Sequence, residues 1–294
     1  MVSDQDSFLD LSGVHPPSSK GPLLDGARFS VLEGISPIHL RILNEASNVM
    51  YVSKDVELLH EGDAPHDLYF VDSGKIVIAK RTVGKLKILR SLGQGDIYGE
   101  FGVLRRKSRF ASVFSAEPSR IIRVDLTAVQ QVLEVDATFR KRITEMMNRR
   151  MISTFFSSHP VFQGLSEASS ENLAKSLPLQ FTERGDRIFS QGEKPTGMYM
   201  ILSGEVEVRF LNKSKAEVLL EIRRDNDIVG EVVQKNGTEL AYSALASSDV
   251  DLLVLDKKAM DALHTHDAVT FDRLEQYINK RSQMTVKRLR ENLG

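Results

Sequence analysis

The 294 residues carry a formal net charge of −1 with 27% charged side chains: enough chain for two ordinary domains with separate cores, and none of the basic excess of a nucleic-acid binder. There is no cysteine, which excludes disulfides, thiol catalysis and thiolate metal sites. The opening MVSDQDSFLD lacks the basic-then-apolar order of a secretion signal, and no run reaches the ~20 apolar residues of a membrane span, so a soluble, cytoplasmic protein without a membrane partner is expected.

Residues 1–27, with HPPSSKGP among them, are poor in apolar side chains and rich in turn formers, and read as a flexible tail. SPIHLRILNEASNV follows, begun by Ser36 and apolar at helical spacing, which predicts a serine-started helix. Short alternating runs come next: LYFVDSGKIVIAKR, KLKILRSL, ASVFSA and SRIIRVD, punctuated by Gly-Asp and Ser-Gly turns. Helical spacing returns over TAVQQVLEVDATFRKRITEMMNRRMISTFF, where Met146, Met147, Phe155 and Phe156 read most simply as core. A second helix (SEASSENLAKSL), a second set of short strands ending in VDLLVLD, and a final helical stretch from Lys257 complete the chain. The basic residues of FRKR, NRR and VKRLREN lie on predicted helices with apolar stripes and read as solvated faces. Many short strands with flanking helices predict a mainly β, α+β chain built of β-jelly rolls.

Laid on itself, the sequence repeats. HEGDAPHDLYFVDSGKIVIAK (His60 to Lys80) matches SQGEKPTGMYMILSGEVEVRF (Ser190 to Phe210), pairing Gly62 with Gly192 and Gly74 with Gly204 in one register. One residue of insertion later, Gly99-Glu100 pairs with Gly230-Glu231. The period is a whole domain, too long for a solenoid repeat. The expected division is a first domain over 28–156, including its connector helices, and a second over 157–294.

EGD (61–63), SGKI (73–76), GQGDIYGEFGVL (93–104) and RFASV (109–113) together resemble the pattern of the cyclic-nucleotide-binding domain family. The paired arrangement is similar to that of protein-kinase-A regulatory subunits and, in a single copy, to the sensor of catabolite-activator-type proteins. No docking helix pair or arginine-rich inhibitor segment is apparent ahead of the first copy, so a kinase regulatory subunit in the strict sense is not expected. The resemblance implies that Gly99, Glu100, Phe101, Gly102, Val103, Arg109, Phe110 and Ala111 form a ligand site. In it the cyclic phosphate and the ribose 2′-OH are bound by these positions. The residue chemistry agrees. Glycines at 99 and 102 let backbone N–H groups approach an anion, with a short helix starting there to point its positive end at it. Arg109 offers a permanently charged, bidentate partner to phosphate, and Glu100 is an acceptor suited to a hydroxyl. A plain alternative is that Glu100 and Arg109 pair with each other across a loop. Phe110 stands where the family's cGMP binders carry a hydroxyl, so the resemblance leans to cAMP, with cGMP as the other ligand; no cofactor is implied.

The second copy keeps Gly230 and Glu231 but has Leu240 where Arg109 stands. Burying an anion without its cation costs several kcal/mol, and nothing in the spacing of Lys235 or Arg223 marks either as a substitute. A degenerate, structural or partner-binding second domain is expected. HTHD (His264 to Asp267) is too small a ligand set for a metal, and no catalytic constellation accompanies a recognisable motif. The stretch after Asp256 is expected to be too short for a helix-turn-helix domain plus its connecting helix. The chain therefore reads as a non-enzymatic cyclic-nucleotide receptor that signals through its connector helices to a protein partner of unknown identity. The alternative is a tandem interaction protein without ligand control.

Overall fold

The computed structural model describes residues 14–15, 22–64, 67–82, 85–105, 111–233 and 238–292. The chain divides into two compact units between Met147 and Asn148.

The first unit contains strands β1 (Val14–His15), β2 (Ser47–Val52), β3 (Glu57–Leu59), β4 (Leu68–Ser73), β5 (Ile76–Thr82), β6 (Lys85–Leu92), β7 (Ile97–Tyr98), β8 (Ser112–Ser115) and β9 (Ser119–Val124). They make two antiparallel sheets, ordered β1-β2-β9-β4-β7 and β3-β8-β5-β6. Helices α1 (Pro37–Glu45), α2 (Glu100–Arg105), α3 (Leu126–Val135) and α4 (Ala137–Ser158) accompany them, α4 running across the division between the units. The strand sequence explains the layers. Side chains alternate across a sheet, and β4 is apolar on both faces because each face is covered. Leu68 and Phe70 join Ile122, Val124, Leu43, Val129 and Phe139 in a core between sheet and helices. Tyr69 and Val71 join Ile76, Leu92, Val113 and Ile121 inside the roll.

The second unit repeats this plan. Its elements are α5 (Glu167–Ser176), β10 (Leu179–Thr182), β11 (Arg187–Phe189), β12 (Met198–Ser203), β13 (Val206–Leu211), β14 (Glu217–Arg223), β15 (Ile228–Val229), β16 (Ser243–Ala246), β17 (Val250–Leu255), α6 (Lys257–His266) and α7 (Ala268–Asn292). The sheets are ordered β10-β17-β12-β15 and β11-β16-β13-β14. Met200 and Leu253 face the helices, and Tyr199, Ile201 and Leu252 face the interior of the roll. Two jelly rolls with flanking helices are thus the architecture.

Backbone requirements explain why the glycines repeat. Gly74 and Gly204, in the β4–β5 and β12–β13 turns, have φ of 92° and 103°. A Cβ at Gly74 would lie 2.6 Å from the Pro118 carbonyl, and one at Gly204 would collide with the Asp249 carbonyl. The duplication also reaches further towards the N-terminus than the sequence reading took it. Ser30–Leu32 and Pro160–Phe162 are matching 3-10 turns, followed by Gly34 and Gly164 at φ of 77° and 88°.

Four expectations need correction. The helix predicted over SPIHLRILNEASNV stops at Glu45, because Ser47–Val52 is drawn into β2, which pairs with β9 along its length. Ser36 makes no side-chain cap; its backbone N–H donates to Asp136 Oδ2 at 3.1 Å, whereas Ser166 does cap α5 by accepting from Ser169 N. The basic helix faces are not all solvated: Arg150 is buried and Arg288 pairs with Glu221. Within the segment read as a tail, Val14–His15 pairs with β2 and Leu24 is fully buried.

Candidate functional site

In the first unit β7 runs into Gly99, at φ 92°, and the chain then turns directly into α2, whose first residue is Glu100. The Val103 N–H donates to the Gly99 carbonyl at 3.3 Å. Glu100 is only 4% exposed, an unusual place for a carboxylate. Gly102 and Val103 are buried and Phe101 is half-buried, with Val103 anchoring α2 in the helix-side core. Ala111, at the entry to β8, is also buried. The EGD turn is tied to the same strand end: Glu61 N donates to Ser112 Oγ at 3.0 Å. Arg109 and Phe110 lie outside the described residues, so the anticipated Arg109–phosphate arm rests on sequence.

The second unit preserves the frame and changes the contents. The Gln191 N–H donates to Ser243 Oγ at 2.9 Å, the counterpart of the Glu61–Ser112 bond, and Gly230 has φ 88°. Beyond Glu231, however, residues 231–233 are not helical. Val233 bridges Leu240, whose own N–H and carbonyl pair with Glu193 O and Gly192 N at 2.8 and 2.9 Å. Leu240 is buried in the roll interior with Phe189 and Tyr242.

Glu231 is engaged on all sides. The side chains of Glu231 and Arg223 are both 0% exposed and 2.9 Å apart. Arg223 Nη2 donates to Thr285 Oγ1 at 2.6 Å, its Nε and Nη2 donate to Glu221 Oε1 at 2.9 and 2.8 Å, and Nη1 donates to the Ile228 carbonyl. Tyr242 Oη donates to Glu231 Oε2 and accepts from the Gly230 N–H at 2.7 Å. Thr285 Oγ1, from α7, lies 2.7 Å from Glu231 Oε1 and donates to it. Burial alone would raise the Glu231 pKa, but the Arg223 charge and the bonds from Arg223, Tyr242 and Thr285 outweigh it and hold the carboxyl below its ordinary value. Burial likewise works against the Arg223 charge and is outweighed, by Tyr242 and Glu231, so the guanidinium stays protonated. Burial, then the Glu231 charge, push the Tyr242 phenol well above its ordinary value.

The register locates what fills this site. Val206 pairs with Arg223 as Ile76 pairs with Leu92, so Arg223 stands where the first unit has a buried leucine. Tyr242 stands where the first unit has Ala111. Sequence reasoning treated Arg223 as one of two equal substitutes and missed Tyr242 and Thr285. The available signal was a charged residue at the core position of a strand and a large ring in place of alanine. His264 of the HTHD run sits edge-on to Phe271, and no group of metal-ligating side chains occurs among the described residues. No helix among them is long and apolar enough to cross a membrane.

The model of the cyclic nucleotide-binding domain matches residues 49–136 and 179–267, more than half of the chain. Curated relatives include a cAMP-dependent protein kinase regulatory subunit of Pyricularia oryzae, 25% identical over 221 residues, covering 72% of this chain and 54% of the relative. The type II regulatory subunit of Drosophila melanogaster is 27% identical over 254 residues, covering 82% and 63%. The chain spans about half the length of the curated relatives it matches. Among solved structures, the regulatory domain of Toxoplasma gondii PKA with cAMP aligns at TM-score 0.40 and 18% identity, over 85% of this chain and 92% of that one.

Proposed function

Since the chain belongs to the cyclic nucleotide-binding domain family, we propose that it is a regulatory protein that takes one cyclic nucleotide per chain, in the first unit. The observation that carries this is the contrast between two copies of one frame. In the first, Glu100 is buried at the start of α2 and the sequence supplies Arg109. In the second, Glu231 is bonded to Arg223, Tyr242 and Thr285 within the roll, α2 has no counterpart directly after it, and a leucine stands at the position of Arg109. In this reading Glu100 accepts from the ribose 2′-OH and Arg109 pairs with the cyclic phosphate. Gly99, Phe101, Gly102 and Val103 shape the turn that brings backbone N–H groups to it, and Ala111 leaves the space that Tyr242 fills in the other copy. Phe110, without a hydroxyl for a guanine, favours cAMP over cGMP.

The curated relatives are regulatory subunits of a kinase by name, which supports a non-enzymatic role, a cytoplasmic setting and a kinase-type protein partner. Calorimetric titration of the whole chain with cAMP and cGMP tests the site. One site per chain is expected, tighter for cAMP. Arg109→Ala should weaken it by about 2–5 kcal/mol, the usual loss when one member of a buried charge pair goes. Glu100→Ala should cost less, losing a hydrogen bond to a hydroxyl. A stoichiometry of two, or Arg109→Ala at full affinity, overturns the assignment; no binding of either nucleotide leaves a tandem interaction protein.

A further inference from the structure

The Glu231 cluster does more than exclude a ligand, because one of its members belongs to the last helix. Arg281, Thr285, Arg288 and Leu289 recur at helical spacing along one face of α7. Arg281 Nη2 donates to Asp227 Oδ2 at 2.6 Å, Arg288 pairs with Glu221, and Leu289 is buried in the roll-side core. Thr285, 1% exposed, is the only one of the four that reaches the Glu231 carboxylate, and it bonds both members of the Glu231–Arg223 pair. We propose that the second unit is a latch occupied from within: Arg223 and Tyr242 stand at Glu231 in place of a bound ligand, and Thr285 thereby holds α7 docked on its own roll whether or not nucleotide is present.

Two observations support this over plain core packing. The fold does not require the cluster, since the first unit builds the same roll with Leu92 and Ala111 at the positions of Arg223 and Tyr242. And the bonds converge on a site closed to water. Removing the Thr285 hydroxyl leaves Glu231 Oε1 and Arg223 Nη2 each one partner short in a dry place, where an unmet bond to a charged group is expensive. Undocking α7 lets water supply those bonds, so the balance shifts towards the open helix.

The test is amide hydrogen exchange on the full chain, for the natural protein with and without saturating cAMP, and for Thr285→Val and Thr285→Ser. The near-isosteric Thr285→Val should speed exchange over 281–292 by about tenfold or more while β12 and β17 stay protected. Thr285→Ser, which keeps the hydroxyl, should retain slow exchange. In the natural chain cAMP should leave α7 exchange unchanged, whatever calorimetry reports for the first unit. Unchanged α7 protection in Thr285→Val overturns the latch, as does opening of α7 together with β12 and β17, or a response of α7 to cAMP in the natural chain.

Discussion

Leu240, at the position of Arg109 in the first copy, lies in surroundings that suit an apolar side chain. The residue is buried among Phe189, Val232 and Tyr242, its backbone is tied to Gly192 and Glu193, and the only guanidinium in the Glu231 cluster is already committed. Leu240→Arg should therefore not create a second nucleotide site. It should bury an unpaired charge near Arg223 and lower stability by about 3–5 kcal/mol, read as a drop in the urea midpoint with calorimetric stoichiometry still at one. Phenolate titration gives an independent check on the cluster. Of the six tyrosines, Tyr242 is pushed well above its ordinary value and Tyr277 up to about 12, both chiefly by burial and then by a nearby carboxylate. A raised folded pKa means that their stabilisation is whole below the ordinary value of 10.0 and is lost as pH rises through the folded value. At least two tyrosines should ionise late, or together with alkaline unfolding; six ordinary titrations would contradict the buried cluster. The missing arginine was legible in the sequence because a motif has fixed positions. Arg223, Tyr242 and Thr285 were not, because they meet only in three dimensions: Thr285 is 62 residues from Arg223 and belongs to a different element.

At the scale of elements, alternation predicted strands well wherever one side of the sheet differs from the other, as in β13, where buried and half-buried residues alternate. It said less about β4, apolar over Leu68–Val71 because helices cover one face and the opposite sheet the other. The end of the first helix was misread because ASNV satisfies helical spacing and strand pairing alike; six consecutive pairs with β9 decide it. Helix α4 is the element through which occupation of the first site would be signalled. It starts at a carboxylate, Asp136, that accepts from Ser36 N, Phe139 N and His39 Nδ1, and it carries Phe139 and Ile143 into the helix-side core. A ligand moves such a helix only by binding its two arrangements unequally, and about 1–3 kcal/mol of coupling is the usual scale. Nucleotide should therefore alter amide exchange in Phe139–Phe156 as well as in the described part of the cradle, Gly95–Arg105. A change confined to the cradle would make the first unit a passive binder.

For the molecule as a whole, several buried groups act in one direction with acid. His159 is held below its ordinary value of 6.5 by burial. For Asp136 burial pushes upward, but His39 and the N–H groups of Phe139 and Ser36 win, and its pKa, like that of Glu231, is lowered. Depressed folded values give stability that is complete above the ordinary values and is lost as pH falls through the folded ones. Melting temperature should thus hold near neutrality, begin to slip below 6.5 as His159 is forced to charge, and fall most steeply below 4.5, where the carboxylates protonate. Asp136→Asn and Glu231→Gln should each flatten that steep part in calorimetry, and an equal slope in both variants would assign the acid response elsewhere. The placement of Thr285 also has a consequence for the time course of folding. A pair of charges already enclosed by β14 and β15 receives its last partner from a helix 54 residues further along the chain than Glu231, and closing so long a loop is slow relative to the local turns that build the roll. The expectation is that the native cluster is completed after the rate-limiting barrier, with Thr285 a low-φ position. Thr285→Val should leave the refolding arm of the denaturant chevron almost where it was and raise the unfolding arm, so that what the hydroxyl governs is how long the finished molecule lasts rather than how quickly it forms.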